Sequence, residues 1–384
     1  MNNKLVPAIR FKEFTNDWEQ RKVGDLAYVT TGISNSNQQS KRGKYPFFIR
    51  SETSVYSEKY IFDAEAVITA GDGKIGDAFH YVFGKFDLHQ RCYAIMHFKD
   101  INGKFFYYYF QHNFKKEVVK KTAKNTVDSV RMEMITDMNI FFPLIEKEEL
   151  KISILLDNAN KCISLLQCKL EKLKNLKNNL LEKMFADEKH PFPKIRFKEF
   201  TNDWEQRRVG DILLLENKKG FNDIEILTAT NNNGMQPRKN SRLTINFNLS
   251  NLTNYNYVKK YDFVLHLSSY FCGLAFSLYS GLTSPAYNVL RLKDVNLDYP
   301  FYFKEIFSSK SFIQKLKPIT FGLRIGKTIK FSDMANIKIW SAKIDEQKTI
   351  SLFLDKISRT ISLLQRKLEK MENIKNTLLQ KMFV

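Results

Sequence analysis

The sequence predicts an α+β protein organised as an internal pseudo-twofold repeat, in which two β-rich globular domains alternate with two long helices. Three observations support this prediction. Residues 9–25 (IRFKEFTNDWEQRKVGD) recur at residues 195–211 with 16 of 17 positions identical. Residues 163–185 recur at residues 361–383 with 17 of 23 identical. Between these repeats, short aromatic and β-branched runs alternate with turn residues, which is typical of strands and hairpins.

The second repeated segment has the composition and the spacing of a long helix. It is rich in Leu, Lys, Glu and Asn and contains no Gly or Pro. Its apolar residues follow steps of four and three, the heptad spacing of a helix that packs along a seam. An antiparallel coiled coil between the two copies would cover both stripes. The predicted seam residues are Ile163, Leu166, Leu170, Leu173, Ile361, Leu364, Leu368 and Met371.

Two unrelated amphipathic helices, each packed on its own domain, are the alternative to a coiled coil. The two copies match at polar positions as well, and packing on a domain does not require that match, so the sequence favours the coiled coil.

The repeats also predict where the domains begin and end. A first domain with its entry segment is expected at residues 1–147, followed by the first helix at residues 148–185. A linker and the second domain are expected at residues 186–345, followed by the second helix at residues 346–384. Two prolines in residues 186–194 end the first helix. Aromatic residues of the entry segment, such as Phe11, Phe14 and Trp18, are expected to fasten each domain onto its helix.

The two domain bodies share a plan but almost no sequence. Residues 71–76 (GDGKIG) are predicted as a tight turn between two strands, because no GK[ST] sequence of a phosphate loop follows. A helix is expected at residues 105–121, then a strand over residues 132–143. In the second body a helix is expected at residues 302–316. One frame with two unlike bodies suggests two different targets read by one geometry.

The charge of the chain points to a polyanion, and nucleic acid is the first expectation. Lys and Arg number 61 against 41 Asp and Glu, which gives a net charge of +20 and a pI near 9.5. No apolar run approaches the roughly 20 residues that a membrane span needs. The first residues lack an apolar signal region, so a cytoplasmic location without membrane contact is expected.

Motifs of catalysis and of metal binding are missing from the sequence. The four cysteines form no CxxC pair and the six histidines lack metal-ligand spacing, so neither a metal site nor a disulfide framework is predicted. No dinucleotide-binding, phosphate-loop, zinc-protease or nucleophile-elbow motif is present. The sequence therefore favours binding over catalysis.

Basic residues in predicted loops are the candidate DNA contacts. Lys and Arg attract phosphate, and Arg, Lys, Asn or Gln read base edges in the major groove. Two loops dense in these types, residues 35–44 and 231–242, occupy corresponding early positions of the two bodies; a solvated turn is the alternative for each. The candidate DNA-binding residues are Lys41, Arg42, Lys44, Lys74, Arg91, Lys124, Arg131, Arg238, Lys239, Arg242, Arg324, Lys327 and Lys330.

The layout resembles the specificity subunit of a type I restriction–modification system. The resemblance rests on the entry segments RFKEF…WEQR(K/R)VGD, on the paired ISLLQxKLEK…LLxKMF helices, and on the duplicated order of domain and helix, which covers almost the whole chain. It implies that each globular domain is a target-recognition domain that reads one half of a bipartite, asymmetric site in double-stranded DNA. The coiled coil would then fix the gap between the halves.

The resemblance also implies the partners. Two modification subunits would carry S-adenosylmethionine, and each would flip and N6-methylate an adenine in one half of the site. Restriction subunits, which are motor–nucleases that use ATP and Mg, would cleave the DNA. This chain would hold no cofactor and would be non-catalytic.

Two other functions stay open at this point. A single-chain enzyme that modifies nucleic acid would need a cofactor pocket in this chain. A coiled-coil scaffold without a nucleic-acid role would bind acidic proteins through the same positive charge and would show no preference among DNA sequences.

Overall fold

The computed structural model describes residues 6–120, 129–186, 190–221, 224–231, 233–240, 249–322 and 327–383. The chain divides into two compact units. The first unit comprises residues 1–168 together with residues 365–384, and the second comprises residues 169–364. Each unit therefore contains one β-rich body, the beginning of one long helix and the end of the other.

The body of the first unit is built on a six-stranded, mostly antiparallel sheet. Its elements in chain order are β1 (Trp18–Lys22), α1 (Val23–Leu26), β2 (Tyr28–Thr31), β3 (Tyr45–Phe48), β4 (Val55–Ser57), β5 (Phe62–Ala70), β6 (Phe79–Leu88), β7 (Cys92–Met96), α2 (Gly103–Lys120), α3 (Met132–Thr136) and β8 (Asn139–Pro143), after which α4 (Glu146–Lys183) begins. The main sheet has the order β2-β7-β5-β6-β3-β4, in which β3 and β6 are parallel. β1 pairs separately with β8, so the body starts and ends on the same two-stranded ribbon.

Aromatic residues of α2 form the core of this body. Phe106, Phe110 and Phe114 are fully buried and recur every four residues, so they line one face of the helix. They pack in one cluster with Val67 and Ile95 of the sheet. The aromatic content of the sequence is thus used where the helix covers the sheet.

The body of the second unit repeats this plan on a smaller sheet. Its elements are β9 (Glu205–Arg208), α5 (Val209–Ile212), β10 (Leu213–Leu215), β11 (Leu227–Thr230), β12 (Gly234–Pro237), β13 (Asn256–Val258), β14 (Phe263–Leu265), α6 (Ser269–Cys272), β15 (Ala275–Phe276), β16 (Gly281–Thr283), β17 (Asn288–Leu292), α7 (Pro300–Phe307), α8 (Lys310–Leu316), β18 (Thr320–Phe321), β19 (Thr328–Ile329), α9 (Phe331–Ala335) and β20 (Lys338–Ser341), after which α10 (Ile344–Lys381) begins.

The two bodies correspond in their main strands. The order β10-β17-β14-β15 matches β2-β7-β5-β6, and β9 pairs with β20 as β1 pairs with β8. The β11–β12 hairpin stands where the first body has β3 and β4. A parallel bridge between Met235 and Ser277 replaces the parallel pair of β3 and β6. The turn between β5 and β6 in the first body therefore corresponds to the segment between β14 and β15 in the second.

Two predicted elements differ from the structure. The strand predicted over residues 132–143 is a helix, α3, followed by the strand β8; α3 packs on α1, and Val23 N–H donates to the carbonyl oxygen of Met138 at 2.9 Å. The single helix predicted over residues 302–316 is two helices, α7 and α8. The break occurs because the Ser309 hydroxyl caps α8 by accepting the N–H of Phe312 at 3.2 Å.

The two long helices have equal lengths of 38 residues, which corresponds to about 57 Å. Both begin two residues before the predicted positions, and they end two and three residues early; assignments of helix ends commonly vary by about this much. In the first unit, Ile152 of α4 shares a core with Met382 and Phe383, which follow α10. In the second unit, Ile350 of α10 shares a core with Met184, which follows α4. The helices are therefore antiparallel, as the sequence predicts.

A buried ion pair ties each entry segment to the start of a long helix. Arg10 donates from Nε and Nη2 to the two carboxylate oxygens of Glu148, at 2.6 and 2.8 Å. Arg196 does the same to Glu346, at 2.7 Å for each bond. The two glutamate side chains are 0% and 3% exposed. Two parallel bonds between planar groups fix orientation as well as distance, so each entry segment is held in one position on its helix.

The residue before each of these arginines bonds the end of a long helix. Ile195 N–H donates to the carbonyl oxygen of Lys183 at 2.9 Å, just across the linker in sequence. Ile9 N–H donates to the carbonyl oxygen of Lys381 at 2.8 Å, within the first unit. The same contact between an entry segment and the end of a long helix thus occurs in both units. In the first unit, the two bonded residues are distant in sequence.

The residue after each paired glutamate differs between the units. Glu149 and Gln347 are both buried, and each accepts a backbone N–H at 2.7 Å, from Asn102 and Tyr299 respectively. Gln347 also donates from its amide nitrogen, for example to the carbonyl oxygen of Ala342 at 2.8 Å. Oε1 of Glu149 has no hydrogen-bond partner in the described part of the chain. A protonated Glu149 would present an O–H donor there, as Gln347 presents its amide.

Burial raises the pKa of Glu149 to about 8, and the nearby carboxylates Glu146 and Glu148 add to the rise. The unfolded chain has the ordinary value of 4.5, so the folded state holds the proton more tightly. The stability that this provides is complete below pH 4.5 and is lost as the pH rises through about 8.

Exchanging these two residues is a test of the pH dependence. Glu149→Gln is expected to raise the free energy of unfolding near pH 8 and to flatten its decline with pH, because the amide does not titrate. The wild-type decline from this group is at most about 1.4 kcal/mol per pH unit. Urea unfolding at several pH values between about 5 and 8 measures it.

The reciprocal variant Gln347→Glu is the matched control in the second unit, and it is expected to gain a decline of the same sign. If the free energy of unfolding had the same pH dependence in wild type and Glu149→Gln, the raised pKa of Glu149 would be contradicted.

Candidate nucleic-acid interface

A group of charged side chains surrounds the turn between β5 and β6 in the first unit. We call it the turn cluster. Asp72 and Lys74 lie in this turn, Arg50 follows β3, Arg91 precedes β7, and Arg131 precedes α3. The structure therefore brings together three residues that the sequence singled out, Lys74, Arg91 and Arg131, and adds two that it did not.

Asp72 is the centre of the turn cluster. Its Oδ1 accepts a hydrogen bond from Arg50 Nη1 at 3.0 Å, and its Oδ2 accepts one from Arg91 Nη1 at 2.8 Å. The arginine side chains are 39% and 60% exposed, whereas Asp72 is 17% exposed. Burial alone would raise the pKa of Asp72, but the bonds from both arginines outweigh it and hold that pKa below its usual value. The carboxylate therefore stays ionised between two guanidinium groups.

The backbone of the turn cluster is packed closely. Gly71 N–H donates to the carbonyl oxygen of Arg91 at 2.8 Å, and Val130 N–H donates to the carbonyl oxygen of Gly71 at 2.7 Å. A Cβ atom on Gly71 would lie 2.9 Å from the Arg91 carbonyl oxygen, so glycine is needed for this approach. These bonds fix the position of Arg91 and bring the neighbour of Val130, Arg131, beside the turn.

Lys74 points from the same turn toward Glu52, which lies between β3 and β4. The Nζ atom of Lys74 is 2.6 Å from a carboxylate oxygen of Glu52, and the side chains are 57% and 60% exposed. An exposed pair of this kind contributes little to stability, and it leaves Lys74 accessible to an anion.

The other predicted contacts of the first unit lie elsewhere. Lys41, Arg42 and Lys44 are exposed in the loop before β3, whereas Arg50 follows β3. These three residues and Arg50 of the turn cluster therefore lie on opposite sides of β3 in the sequence. Lys124 lies outside the described residues.

In the second unit, Arg238 and Lys239 follow the β11–β12 hairpin in a short 3₁₀ turn. Lys239 is 73% exposed, and its Nζ atom is 2.8 Å from Glu225. Lys327 lies over the Tyr270 ring, with its Nζ atom 4.7 Å from the ring centroid. Arg238 and Lys239 present positive charge next to the hairpin, and Lys327, which directly precedes β19, places its charge over Tyr270 of the β14–β15 segment.

Lys330 occupies the position that Arg131 has in the first unit. Arg131 directly precedes α3 and Lys330 directly precedes α9, and both side chains are exposed. Two independent predictions from the sequence thus fall on one structural position. Arg242 and Arg324 lie outside the described residues.

The segment between β14 and β15 differs in chemistry from the turn cluster. Burial lowers the pKa of His266 to about 4 and raises the pKa of the Cys272 thiol, whose Sγ atom is 3.6 Å from His266 Nε2. Both groups are therefore neutral near pH 7. Leu267 and Phe271 are 45% and 46% exposed. This segment offers an apolar surface at the place where the first unit has an Arg–Asp–Arg group.

The predicted seam residues are less exposed than their helical neighbours. Leu170 and Leu364 are buried, and the other six are half-buried. Each long helix also has exposed apolar residues eleven positions apart, a spacing that returns to nearly the same face after three turns. We call these residues the outer apolar set, with Ile154, Leu165 and Ile374 in the first unit and Leu352, Leu363 and Leu176 in the second.

Members of the outer apolar set correspond between the two helices, since each residue of α4 is offset by 198 from its counterpart in α10. The exposed fractions are 70% at Leu165 and 57% at its counterpart Leu363. Each unit therefore carries one copy of the set.

Within the described ranges, none of the helices combines the length and the hydropathy that a membrane span requires. No group of three or more His, Cys, Asp or Glu side chains in the described ranges could hold a metal ion.

Arg50 and Asp72 are the residues of the turn cluster that the sequence analysis missed. Asp72 lies between Gly71 and Gly73 in a predicted turn. Aspartate is common in turns, so nothing in the sequence indicates that this residue has a function. Arg50 follows a short apolar strand without any motif, so only the folded sheet reveals its partner.

Comparisons with known proteins agree with the repeat. The sequence matches the model of the type I restriction modification DNA specificity domain at residues 15–175 and again at residues 201–373. The type I restriction enzyme EcoDI specificity subunit of Escherichia coli is 31% identical over 127 residues, which cover 33% of this chain and 28% of the relative. The matched part therefore spans less than a third of that relative's length.

Solved structures share the fold at low sequence identity. The S subunit of a type I restriction-modification system from M. genitalium has a TM-score of 0.67 at 14% identity, with 99% of each chain covered. A chain solved in work on complex assembly and conformational transition of the type I R-M system has a TM-score of 0.50 at 12% identity, with 95% of this chain and 97% of that chain covered. Because the family model matches both repeats and most of the sequence, this chain belongs to the family of type I restriction–modification DNA specificity domains.

Proposed function

We propose that this chain is the DNA-binding specificity subunit of a type I restriction–modification complex. It reads the two halves of a bipartite, asymmetric site, one with each body, and it directs adenine N6-methylation and DNA cleavage by partner subunits. The chain itself is non-catalytic. S-adenosylmethionine belongs to the modification subunits, ATP and Mg belong to the restriction subunits, and the complex works in the cytoplasm.

One observation carries this proposal: a duplicated frame holds two bodies whose corresponding segments differ in chemistry. The entry segments are nearly identical, the later parts of the long helices match at 17 of 23 positions, and the main sheets of both bodies keep the same strand order. At corresponding positions, the turn cluster is charged in the first unit, and the β14–β15 segment is apolar in the second. A protein that reads two different DNA sequences with one geometry requires this combination, whereas a scaffold does not.

The antiparallel long helices support a role as a spacer between the half-sites. Each helix begins in one unit and ends in the other. We assign to them the setting of the gap between the two halves of the DNA site.

The outer apolar set supports the presence of two modification subunits. Single exposed apolar residues are ordinary, but this set recurs at corresponding positions of both helices, away from the predicted seam. A surface present once per unit suits two copies of one partner. We assign it to the docking of a modification subunit through an apolar surface of its own.

The recognition function is tested by expressing the chain with its modification subunits and sequencing the N6-methylated adenines in the host DNA. One motif with two unlike halves is expected. Replacing residues 26–143 by the body of another family member should change one half only, because the second body and the frame are retained. Methylation without a motif, or a change in both halves, would contradict the proposal.

Lengthening both helices is expected to lengthen the gap. A seven-residue insertion after Leu170, with its counterpart after Leu368, adds about 10 Å to each helix, which equals about three base pairs at roughly 3.4 Å each. The gap is read from the methylated motif. An insertion in α4 alone is the control, and it should abolish activity because the two stripes lose their register. An unchanged gap in the double insertion would rule out the spacer role.

Charging the outer apolar set is expected to remove modification subunits one at a time. Leu165→Asp should leave one subunit bound, and the double variant with Leu363→Asp should leave none, because each unit carries one copy of the set. The mass of the purified complex measures the stoichiometry. Gln167→Asp with Gln365→Asp adds the same charge at exposed polar positions of the same helices and should keep both subunits. Retention of both subunits by the double leucine variant would disprove the docking assignment.

A further inference from the structure

The ion pairs of the turn cluster contribute little to the stability of the fold. Arg91 is 60% exposed and Arg50 is 39% exposed, and ion pairs of exposed arginines contribute about 0–1 kcal/mol. Asp72 is 17% exposed, so its charge also carries a cost of desolvation. Stabilisation of the sheet therefore does not explain why Arg50, Asp72 and Arg91 are brought together.

What the turn cluster does achieve is to hold the side chain of Arg91 in place. The guanidinium of Arg91 is bonded to Asp72. The backbone of Arg91 is also held, because its N–H donates to Nδ1 of His89 at 3.1 Å and its carbonyl oxygen accepts from the N–H of Gly71. A free arginine side chain loses about 2 kcal/mol of rotamer entropy when it is immobilised. In this unit that loss occurs on folding, before any ligand arrives.

The held guanidinium keeps donors for a ligand. Arg91 uses Nη1 for Asp72, and among the described residues no other side chain or carbonyl group accepts from it, which leaves Nε and Nη2 available. Arg50 bonds the other oxygen of Asp72, so the three charges sum to +1 and still attract an anionic duplex. Two adjacent N–H donors match the O6 and N7 acceptors on the major-groove edge of guanine, the commonest base contact of arginine.

We propose that Arg91 reads a guanine in the half-site bound by the first unit, and that Asp72 and Arg50 position its guanidinium for that contact. This inference rests on the proposed function and deepens it by naming the base and the side chain.

The second unit has no arginine at the corresponding places. Neither residues 266–274, between β14 and β15, nor residues 284–287, directly before β17, contain one. The guanine contact therefore belongs to one half-site only, and the other half-site serves as an internal control in each measurement.

The test is selection of duplexes from a randomised DNA library by the full chain in complex with its modification subunits. Arg91→Ala is expected to lose the preference for guanine at one position of one half-site, by roughly 5- to 150-fold, with the other half-site unchanged. Arg91→Lys should give an intermediate loss, because an ammonium group cannot bond both acceptors in the same fixed geometry.

Lys74→Ala is the matched control, since Lys74 lies in the same turn and is 57% exposed. It is expected to weaken binding to all sequences equally and to make the dependence on salt shallower, as loss of a phosphate contact does.

Asp72→Asn tests the positioning role with a side chain of the same size. The preferred base should stay guanine while the discrimination against other bases falls, and thermal unfolding should stay close to wild type. An unchanged discrimination in this variant would remove Asp72 from the inference.

Two results would overturn the reading by Arg91. In the first, Arg91→Ala selects the wild-type motif. In the second, it weakens binding equally for every sequence, which would make Arg91 a phosphate contact. A wild-type complex that selects no motif at all would instead overturn the proposed function.

Discussion

The buried ion pair between an entry-segment arginine and a helix glutamate is the contact on which each unit depends. Breaking such a pair leaves an uncompensated buried charge, at a cost of about 3–5 kcal/mol. In the first unit, Arg10 precedes β1, and Glu148 lies in the first turn of α4, directly after β8. Because β1 also pairs with β8, the ion pair closes the body at the point where the chain enters and leaves it. The second unit has the same closure.

This closure explains why the two bodies can differ while their flanks do not. The bonds that anchor a body run through residues of the entry segment, the two-stranded ribbon and the helix start. The interior between them is free to vary: one unit covers its sheet with α2, and the other uses the shorter helices α7 and α8. Surface chemistry varies with it, from the charged turn cluster to the apolar segment around Phe271. Anchoring and recognition are therefore carried by separate sets of residues.

Features that repeat at a fixed spacing along the chain could be predicted from the sequence. Contacts between residues that are distant in sequence could not, because only the folded chain brings those residues together. The heptad stripe through Leu170 and Leu364 is visible because a helix repeats its contacts at a fixed spacing. The five residues of α3 are too few for such a period, so they were wrongly predicted as a strand. Arg50 and Arg91 lie 22 and 19 residues from Asp72, and only the sheet brings them together. Glu149 looks like an ordinary acidic residue of a first helical turn until its burial is known.

The bond between Ile9 and Lys381 has a consequence for the order of folding. The core of the first unit includes Met382 and Phe383, which leave the ribosome after every residue of the second unit. Residues 169–364 form one uninterrupted stretch and can collapse while translation continues. The first body must wait with part of its hydrophobic surface uncovered until the end of α10 and the two residues after it are synthesised. The amino-terminal body is thus the last to be completed.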